Sequence, residues 1–302
     1  MKRRTYSRSK RLQSLSFITF VKNEIAKSHL RVTTLKNHHS TVLLLQKFKE
    51  DLSFNDITYD FLCDFEDYLL KLGYHKNTVA KHLKHIKRYV NLAINKELFS
   101  LEKYPFRKFR FRYVETQKVH LTPEELERLE LIAPTLQGIT RKVIDMFLFC
   151  CYTGLRFSDA TRIKSSDFQF VNEELWLICT TTKTEVHIRL PLFLLFEGKA
   201  VRLYEQYQAL GYHTLFGISY LANSYVNRLL KKIARLAEID KKLFFHCSRH
   251  TNATLLLYNG ANITTVQKLL GHKSVKTTEI YSDIMDMTLI RDLKNIQFKL
   301  KP

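Results

Sequence analysis

Cysteine, glycine, proline and tryptophan are all scarce in this chain, and acidic residues are scarce relative to basic ones. The five cysteines (Cys63, Cys150, Cys151, Cys179, Cys247) are odd in number and form no C-x-x-C pair. That argues against a disulfide framework and a cysteine zinc site, and leaves reduced, mostly buried thiols as the expectation. Eight glycines and five prolines in 302 residues are too few for a collagen-like, low-complexity or linker-dominated chain. No apolar run approaches the roughly 20 residues needed to cross a bilayer. The opening MKRRTYSRSKRLQS is basic but has no apolar core of the kind a secretion signal carries. A cytoplasmic protein without a membrane partner is therefore expected.

What is present is apolar residue and positive charge. Hydrophobic residues make up 45% of the chain, enough for a helix-rich fold with two modest cores. The net charge is +20. Residues 1–115 hold 24 basic and 11 acidic side chains, and the remainder holds 25 and 18, so no single tail accounts for the excess. A polyanion is the natural partner for such a chain, because neutralising phosphates releases their counterions. Charge alone does not separate a protein that binds nucleic acid from one that also cuts it.

The first hundred residues read as several helices. The clearest spans Asn77 to Asn95, with Val79, Leu83, Ile86, Val90 and Ala93 at three- and four-residue steps. Its other side carries Lys81, Lys84, Lys87 and Arg88, either a solvated face or one that lies along a phosphate backbone. From Lys96 to His120 the chain is basic and aromatic with no helical stripe, which reads as an interdomain linker. The domains are placed at 1–112 and 120–302, with a linker at 113–119. A helix then opens at LTPEELERLE, with Thr122 as N-cap, Pro123 at the first helical position and Glu125 closing a capping box. Downstream, WLICTTTK and TEVHIRLPL form a hairpin or small meander that puts Lys183 close to its turn. Helices are expected at about Asn223–Ala237, Ser248–Asn259 and Thr264–Leu270. A last amphipathic stretch from Asp286 to Leu300 carries Leu289, Leu293, Ile296 and Leu300 on one stripe. The fold class is mainly α with a small β-hairpin or meander: an all-helical domain followed by an α+β domain.

Four segments of the second domain carry chemistry-bearing residues: CYTGLRFSDATRI, the Lys183 hairpin, HCSRH, and LLGHKSVKTTEIY. Singly, each has a plain alternative. Arg156 suits a surface turn, and Gly271-His272 suits a helix C-cap followed by a loop residue. His246 and His250 share a helix face at metal-binding spacing, but no third ligand is suitably placed. Tyr281 is one of 15 tyrosines and ordinarily a packing residue.

Taken together and in order, these residues resemble the signature of the tyrosine recombinases, the family of phage and mobile-element integrases and Xer-type resolvases. The matching positions are Arg156 in TGLRFSD, Lys183, His246 and Arg249 in HCSR, His272 in LLGH, and Tyr281 nine residues after His272. The likeness covers roughly Leu121 to Asp286; the N-terminal part resembles the family's core-binding helical domain only loosely. The resemblance implies DNA breaking and rejoining through a 3′-phosphotyrosyl bond, with neither metal nor ATP and no cofactor. Arginines suit that chemistry because their planar forks stabilise the charge growing on a reacting phosphate. In these terms Arg156, Arg249 and His272 would hold the phosphate, and His246 would accept the proton of Tyr281. Lys183, on a mobile hairpin, would protonate the departing 5′ oxygen. Asp159 would orient or buffer the local charge, and His250 would be structural, bonded to nearby backbone. The resemblance further implies double-stranded DNA as partner and a homotetramer joined through the C-terminal helix, with no separate arm-binding domain. Two alternatives stand beside it: strand relaxation of the type IB topoisomerase kind, and an architectural DNA-binding protein without chemistry.

Overall fold

The computed structural model of the chain describes residues 16–116, 118–279, 281 and 293. The chain divides into two compact units, Met1–Thr116 and Gln117–Pro302.

The described part of the first unit is built of helices: α1 (Phe17–Ala26), α2 (Val32–Phe48), α3 (Tyr59–Lys71) and α4 (Lys76–Asn95). Ser16 and Thr58 cap α1 and α3 by accepting the N–H groups of Thr19 and Phe61. The apolar stripe expected on α4 is the buried one, with Val79, Leu83, Ile86, Val90 and Ala93 all inside. They pack on Phe17, Leu45, Phe65 and Leu69 of the other helices. The basic-aromatic stretch after α4 differs from its reading as a linker. Phe106 and Phe109 are buried in this same core, and Phe111 packs against it. Asn77 then fastens the stretch to the start of α4 by a pair of hydrogen bonds with the Val114 backbone, 2.8 and 2.9 Å. Aromatic side chains without a helical period can still complete a core, and period is all that the sequence displayed.

The second unit begins with α5 (Pro123–Ile132), which starts at the capping box formed by Thr122 and Glu125. Next come α6 (Gly138–Thr153) and the short α7 (Phe157–Ala160). A three-stranded antiparallel sheet follows, in the order β1 (Phe168–Val171), β2 (Glu174–Thr180), β3 (His187–Pro191). Leu175 and Leu177 of β2 and Ile188 and Leu190 of β3 fill one face, with Leu177 opposite Leu190. His187 and Arg189 point outward, as the alternation required. Helices α8 (Lys199–Gln208), α9 (Asn223–Leu236), α10 (His246–Tyr258) and α11 (Ile263–Leu270) complete the described unit. Its core surrounds α6, whose residues from Val143 to Tyr152 that carry apolar side chains are all buried. All five cysteines are free, and Cys150, Cys151 and Cys247 are buried. Among the described residues, no helix is long and apolar enough to cross a membrane. The expected helix at 286–300 lies outside the described residues, of which only Leu293, exposed, belongs to it.

Candidate active site

The TGLR segment is shaped by a glycine. Gly154 ends α6 in the left-handed region at φ 70°. A Cβ there would lie 2.6 Å from Leu270 Cδ2 and 2.7 Å from Asn252 Oδ1. The turn is thereby sealed against α10 and α11, and Arg156 emerges at the start of α7. Arg156 Nη1 is buried without a hydrogen-bond partner, as is Asp159 Oδ2, and the two stand 3.9 Å apart, beyond hydrogen-bond reach.

The other carboxylate oxygen of Asp159 is engaged. It accepts the Thr182 N–H at 2.7 Å, tying the β2–β3 connection to α7. On the far side of Lys183, the Thr184 hydroxyl donates to Gly271 O at 3.3 Å. Thr181 braces the loop from within, its hydroxyl 2.8 Å from that of Thr184 and accepting the Val186 N–H at 3.0 Å. Lys183, expected on a mobile hairpin, is thus exposed between two anchored neighbours, one reaching toward Arg156 and the other toward His272.

Helix α10 presents His246, Arg249 and His250 at positions i, i+3 and i+4, which share one face. Arg249 is 2% exposed. It donates through Nη1 to Gly154 O and through Nη2 to Leu270 O, each at 2.6 Å. Both acceptors lie at helix C-termini, where the unpaired carbonyls and the helix dipole favour a cation. Burial, with the Arg156 charge adding to it, still lowers the Arg249 pKa to about 9. This guanidinium therefore joins the turn before Arg156 to the turn before His272.

His250 departs from its reading as a histidine bonded to nearby backbone. Its Nδ1 stands 2.9 Å from the Tyr281 hydroxyl, and the residue is 5% exposed. His246 meets His250 edge-on, with ring centroids 4.7 Å apart, so the hydrogen bond to the phenol is made by the second histidine of HCSRH. The i, i+4 spacing that first suggested a metal pair was the signal for this shared face. Burial and then the neighbouring positive charges hold both rings neutral, His250 down to about 3 and His246 to about 4.

Tyr281 is 4% exposed and packs with Ala253, Leu257, Val266 and Leu270. Burial pushes its phenol up to about 12, although Arg249 and Arg156 pull the other way. His272 follows Gly271, the left-handed C-cap of α11, and its Nδ1 lies 2.9 Å from the Thr278 hydroxyl. Burial, Arg249 and Arg156 lower its pKa to about 4. The six sequence-chosen residues thus fall in the second unit. Five interact directly or through Arg156 and Arg249, and the charge of Lys183 acts on His246. Asp159, His250 and Thr278 join them. Among the described residues, no group of three His, Cys, Asp or Glu side chains is placed to hold a metal ion.

The four basic residues singled out on α4 belong to the first unit. Lys84 and Arg88 are exposed, and Lys81 and Lys87 are partly so. Lys84 lies 4.8 Å from the Tyr113 ring, and Lys87 lies 5.5 Å from Phe111 and 5.9 Å from Phe106. The aromatic stretch therefore backs the basic face of α4 with rings.

Comparison with known proteins agrees on what this chain resembles. A tyrosine recombinase of Thermosipho africanus is 30% identical over 149 residues, which are 48% of this chain and 50% of that protein. Tyrosine recombinase XerD of Halalkalibacterium halodurans is 44% identical over 66 residues, 22% of each chain. The chain thus spans half or less of the length of these curated relatives. Among solved structures, a lambda integrase dimer bound to a COC' core site superposes with a TM-score of 0.75 at 19% identity, covering 92% of this chain and 80% of that one. The Tn1549 transposon integrase in complex with transposon right end DNA superposes at 0.72 and 18% identity, covering 92% and 99%. These likenesses show a shared fold. The phage integrase SAM-like domain is matched over residues 16–111. With the phage integrase family model matched over residues 120–287, more than half its length, the chain belongs to the phage integrase family.

Proposed function

We propose that this protein is a tyrosine-type site-specific DNA recombinase, with residues 120–302 as its catalytic domain and 1–112 as a helical DNA-binding domain joined through 113–119. The observation that carries the proposal is the Arg156–Arg249 pair: Arg249 is buried, Arg156 is partly buried, and Arg156 Nη1 is a buried nitrogen without a hydrogen-bond acceptor, 3.9 Å from Asp159. A buried guanidinium N–H without an acceptor is costly, and a phosphodiester oxygen supplies that acceptor together with a negative charge beyond the one Asp159 gives the two arginines.

In the proposed reaction, Tyr281 Oη attacks the scissile phosphorus. The new O–P bond forms as the bond to the 5′ oxygen breaks, and Lys183 protonates that leaving oxygen. The phenol proton passes to a histidine of α10, with His246 the residue implied by the family resemblance and His250 the ring in hydrogen-bond contact. Arg156, Arg249 and His272 stabilise the charge on the non-bridging oxygens. A phenol held near 12 is a poor nucleophile at neutral pH. A bound phosphodiester would have to draw Tyr281 out of its apolar pocket or strengthen the positive field on it. Lys81, Lys84, Lys87 and Arg88 are proposed to follow the DNA backbone, and the chain is proposed to assemble as a homotetramer through its C-terminal helix. The recombinase structures it resembles include DNA-bound dimers and a lambda integrase tetramer on a Holliday junction, which supports that reading.

Covalent capture tests it. The chain is incubated with a library of nicked duplexes, and DNA that stays attached in denaturant is sequenced and resynthesised. An adduct lost in Tyr281→Phe and retained in excess chelator is expected. Failure to capture any adduct, or an adduct that survives Tyr281→Phe, would leave an architectural DNA-binding protein as the better account. Relaxation of supercoils with no recombinant joints between two captured sites would favour the topoisomerase reading.

A further inference from the structure

A neutral histidine carries one ring proton, and which nitrogen bears it decides what the other can do. His272 is neutral in this site, so its value as a donor to phosphate depends on its tautomer. Its Nδ1 lies 2.9 Å from Thr278 Oγ1, while Nε2 has no partner among the described residues. Thr278 is 0% exposed. Its hydroxyl has no other hydrogen-bond partner among the described residues, so the hydrogen must go to Nδ1 or remain buried and unsatisfied. Donation to Nδ1 makes that atom the acceptor and leaves the ring proton on Nε2.

We infer that Thr278 is a positioning residue, whose buried hydroxyl fixes His272 as the Nε2–H tautomer and so keeps a donor ready for the non-bridging oxygen of a bound phosphodiester. The inference rests on the phosphate-holding role proposed above for His272. A second contact adds to it: the Tyr281 N–H donates to Thr278 O at 3.1 Å. One residue therefore sets the ring of His272 with its side chain and the turn carrying Tyr281 with its carbonyl. Gln267 holds the backbone of His272 from the other side, accepting its N–H at 3.1 Å and donating Nε2 to its carbonyl at 3.1 Å. With the backbone fixed, the threonine hydroxyl is left to choose the ring proton.

The test uses the full chain with ¹⁵N-labelled histidine, compared as wild type, Thr278→Val and Thr278→Ser. Long-range ¹H–¹⁵N spectra report which ring nitrogen of His272 bears the proton, with His272→Gln assigning the signal. Wild type and Thr278→Ser are expected to show Nε2–H, and Thr278→Val, which keeps shape and carbonyl, a mixture of tautomers. The adduct rate on captured duplex is expected to fall roughly 10- to 100-fold in Thr278→Val, below the loss of about 10²–10³ for a whole oxyanion donor because a mixture of tautomers keeps part of the Nε2–H form, and to recover in Thr278→Ser. A wild-type ring protonated at Nδ1 would overturn the inference whatever the variants do, as would a Thr278→Val protein with an unchanged tautomer and rate. The spectra require no DNA, so they stand apart from the recombinase reading: a wild type that forms no adduct defeats that reading and leaves the hydrogen bond still measured.

Discussion

Arg156 and Arg249 carry the same group in the same site, but the protein holds them differently. Both nitrogen arms of Arg249 are committed to Gly154 O and Leu270 O, while Arg156 has a buried nitrogen with no hydrogen-bond partner among the described residues. The difference predicts opposite balances of stability and activity. Arg249→Lys keeps the charge but reaches one carbonyl at most, leaving a buried acceptor unsatisfied at about 1–3 kcal/mol. For a unit of this size that lowers Tm by several degrees, at roughly 2–4 °C per kcal/mol. Arg156→Lys breaks no protein hydrogen bond at Nη1 and is expected to leave Tm within about 2 °C. It should nevertheless cut the adduct rate by about 10²–10³, because lysine lacks the fork that spans two phosphate oxygens. Thermal melts and adduct rates on the two variants check this, and equal losses of Tm would contradict it. Both arginines were readable in the sequence from TGLR and HCSR. The structural half of Arg249's role was not, because its acceptors lie 95 and 21 residues away at helix ends that only the fold brings together.

At the scale of elements, the site depends on short connections more than on the helices and strands that flank them. The β2–β3 connection carries Lys183, and Asp159 holds it by a strong bond to the Thr182 N–H, beside a longer one of 3.5 Å from the Thr182 hydroxyl to Ser158 O. Asp159→Ala should release that anchor while leaving Thr184 on Gly271 O. If Lys183 protonates the leaving oxygen, cleavage of an ordinary phosphodiester is expected to slow by about 10- to 100-fold, the usual scale of a misplaced general acid. A substrate with sulfur at the 5′ bridging position needs no such proton, so much of the lost rate should return. Equal slowing on both substrates would place Asp159's effect on Arg156 instead. Gly154→Ala tests the neighbouring turn: left-handed strain and the contacts with Leu270 and Asn252 together predict a loss of about 2–4 kcal/mol, read by denaturant unfolding. Long periodic elements were legible beforehand, α4 within one residue of its start and β3 by its alternation. The four-residue β1 was not, because FQFV is too short to show a period and buries only Phe168 fully. The Phe106–Phe111 stretch was missed for a related reason: aromatic residues that fill a core from irregular backbone obey neither helix nor strand spacing.

Across the whole molecule, the two units share a chemical habit: each keeps histidines neutral by burying them among cations. In the second unit these are His246, His250 and His272. In the first, Thr41 Oγ1 lies 2.8 Å from His82 Nδ1 and 2.7 Å from His85 Nδ1, and Tyr89 Oη lies 2.8 Å from His38 Nδ1. Burial lowers all three of these as well, His82 and His85 to about 4, with the charges of Lys81 and Arg88 contributing. Because the folded pKa values lie below the free value of 6.5, the unfolded chain takes up protons first as pH falls. Their stabilising effect is therefore complete above about 6.5 and is lost progressively between 6.5 and 4, and on to about 3 for His250, with each histidine contributing at most about 1.4 kcal/mol per pH unit and the partly exposed rings less. Tm is expected to be level from pH 7 to 8 and to fall steeply from 6.5 to 5. The fall should occur in both transitions if the two cores melt separately. His250→Gln should flatten the second-unit transition and His82→Gln the first. The net charge of +20 favours the same direction, since acid adds positive charge to a chain already repelling itself. Bound DNA reverses that term, so a duplex at low salt should raise Tm most where the free protein is weakest, near pH 5.5. A DNA-induced increase that is no larger at pH 5.5 than at pH 8 would mean that the phosphates do not meet the charges that acid exposes.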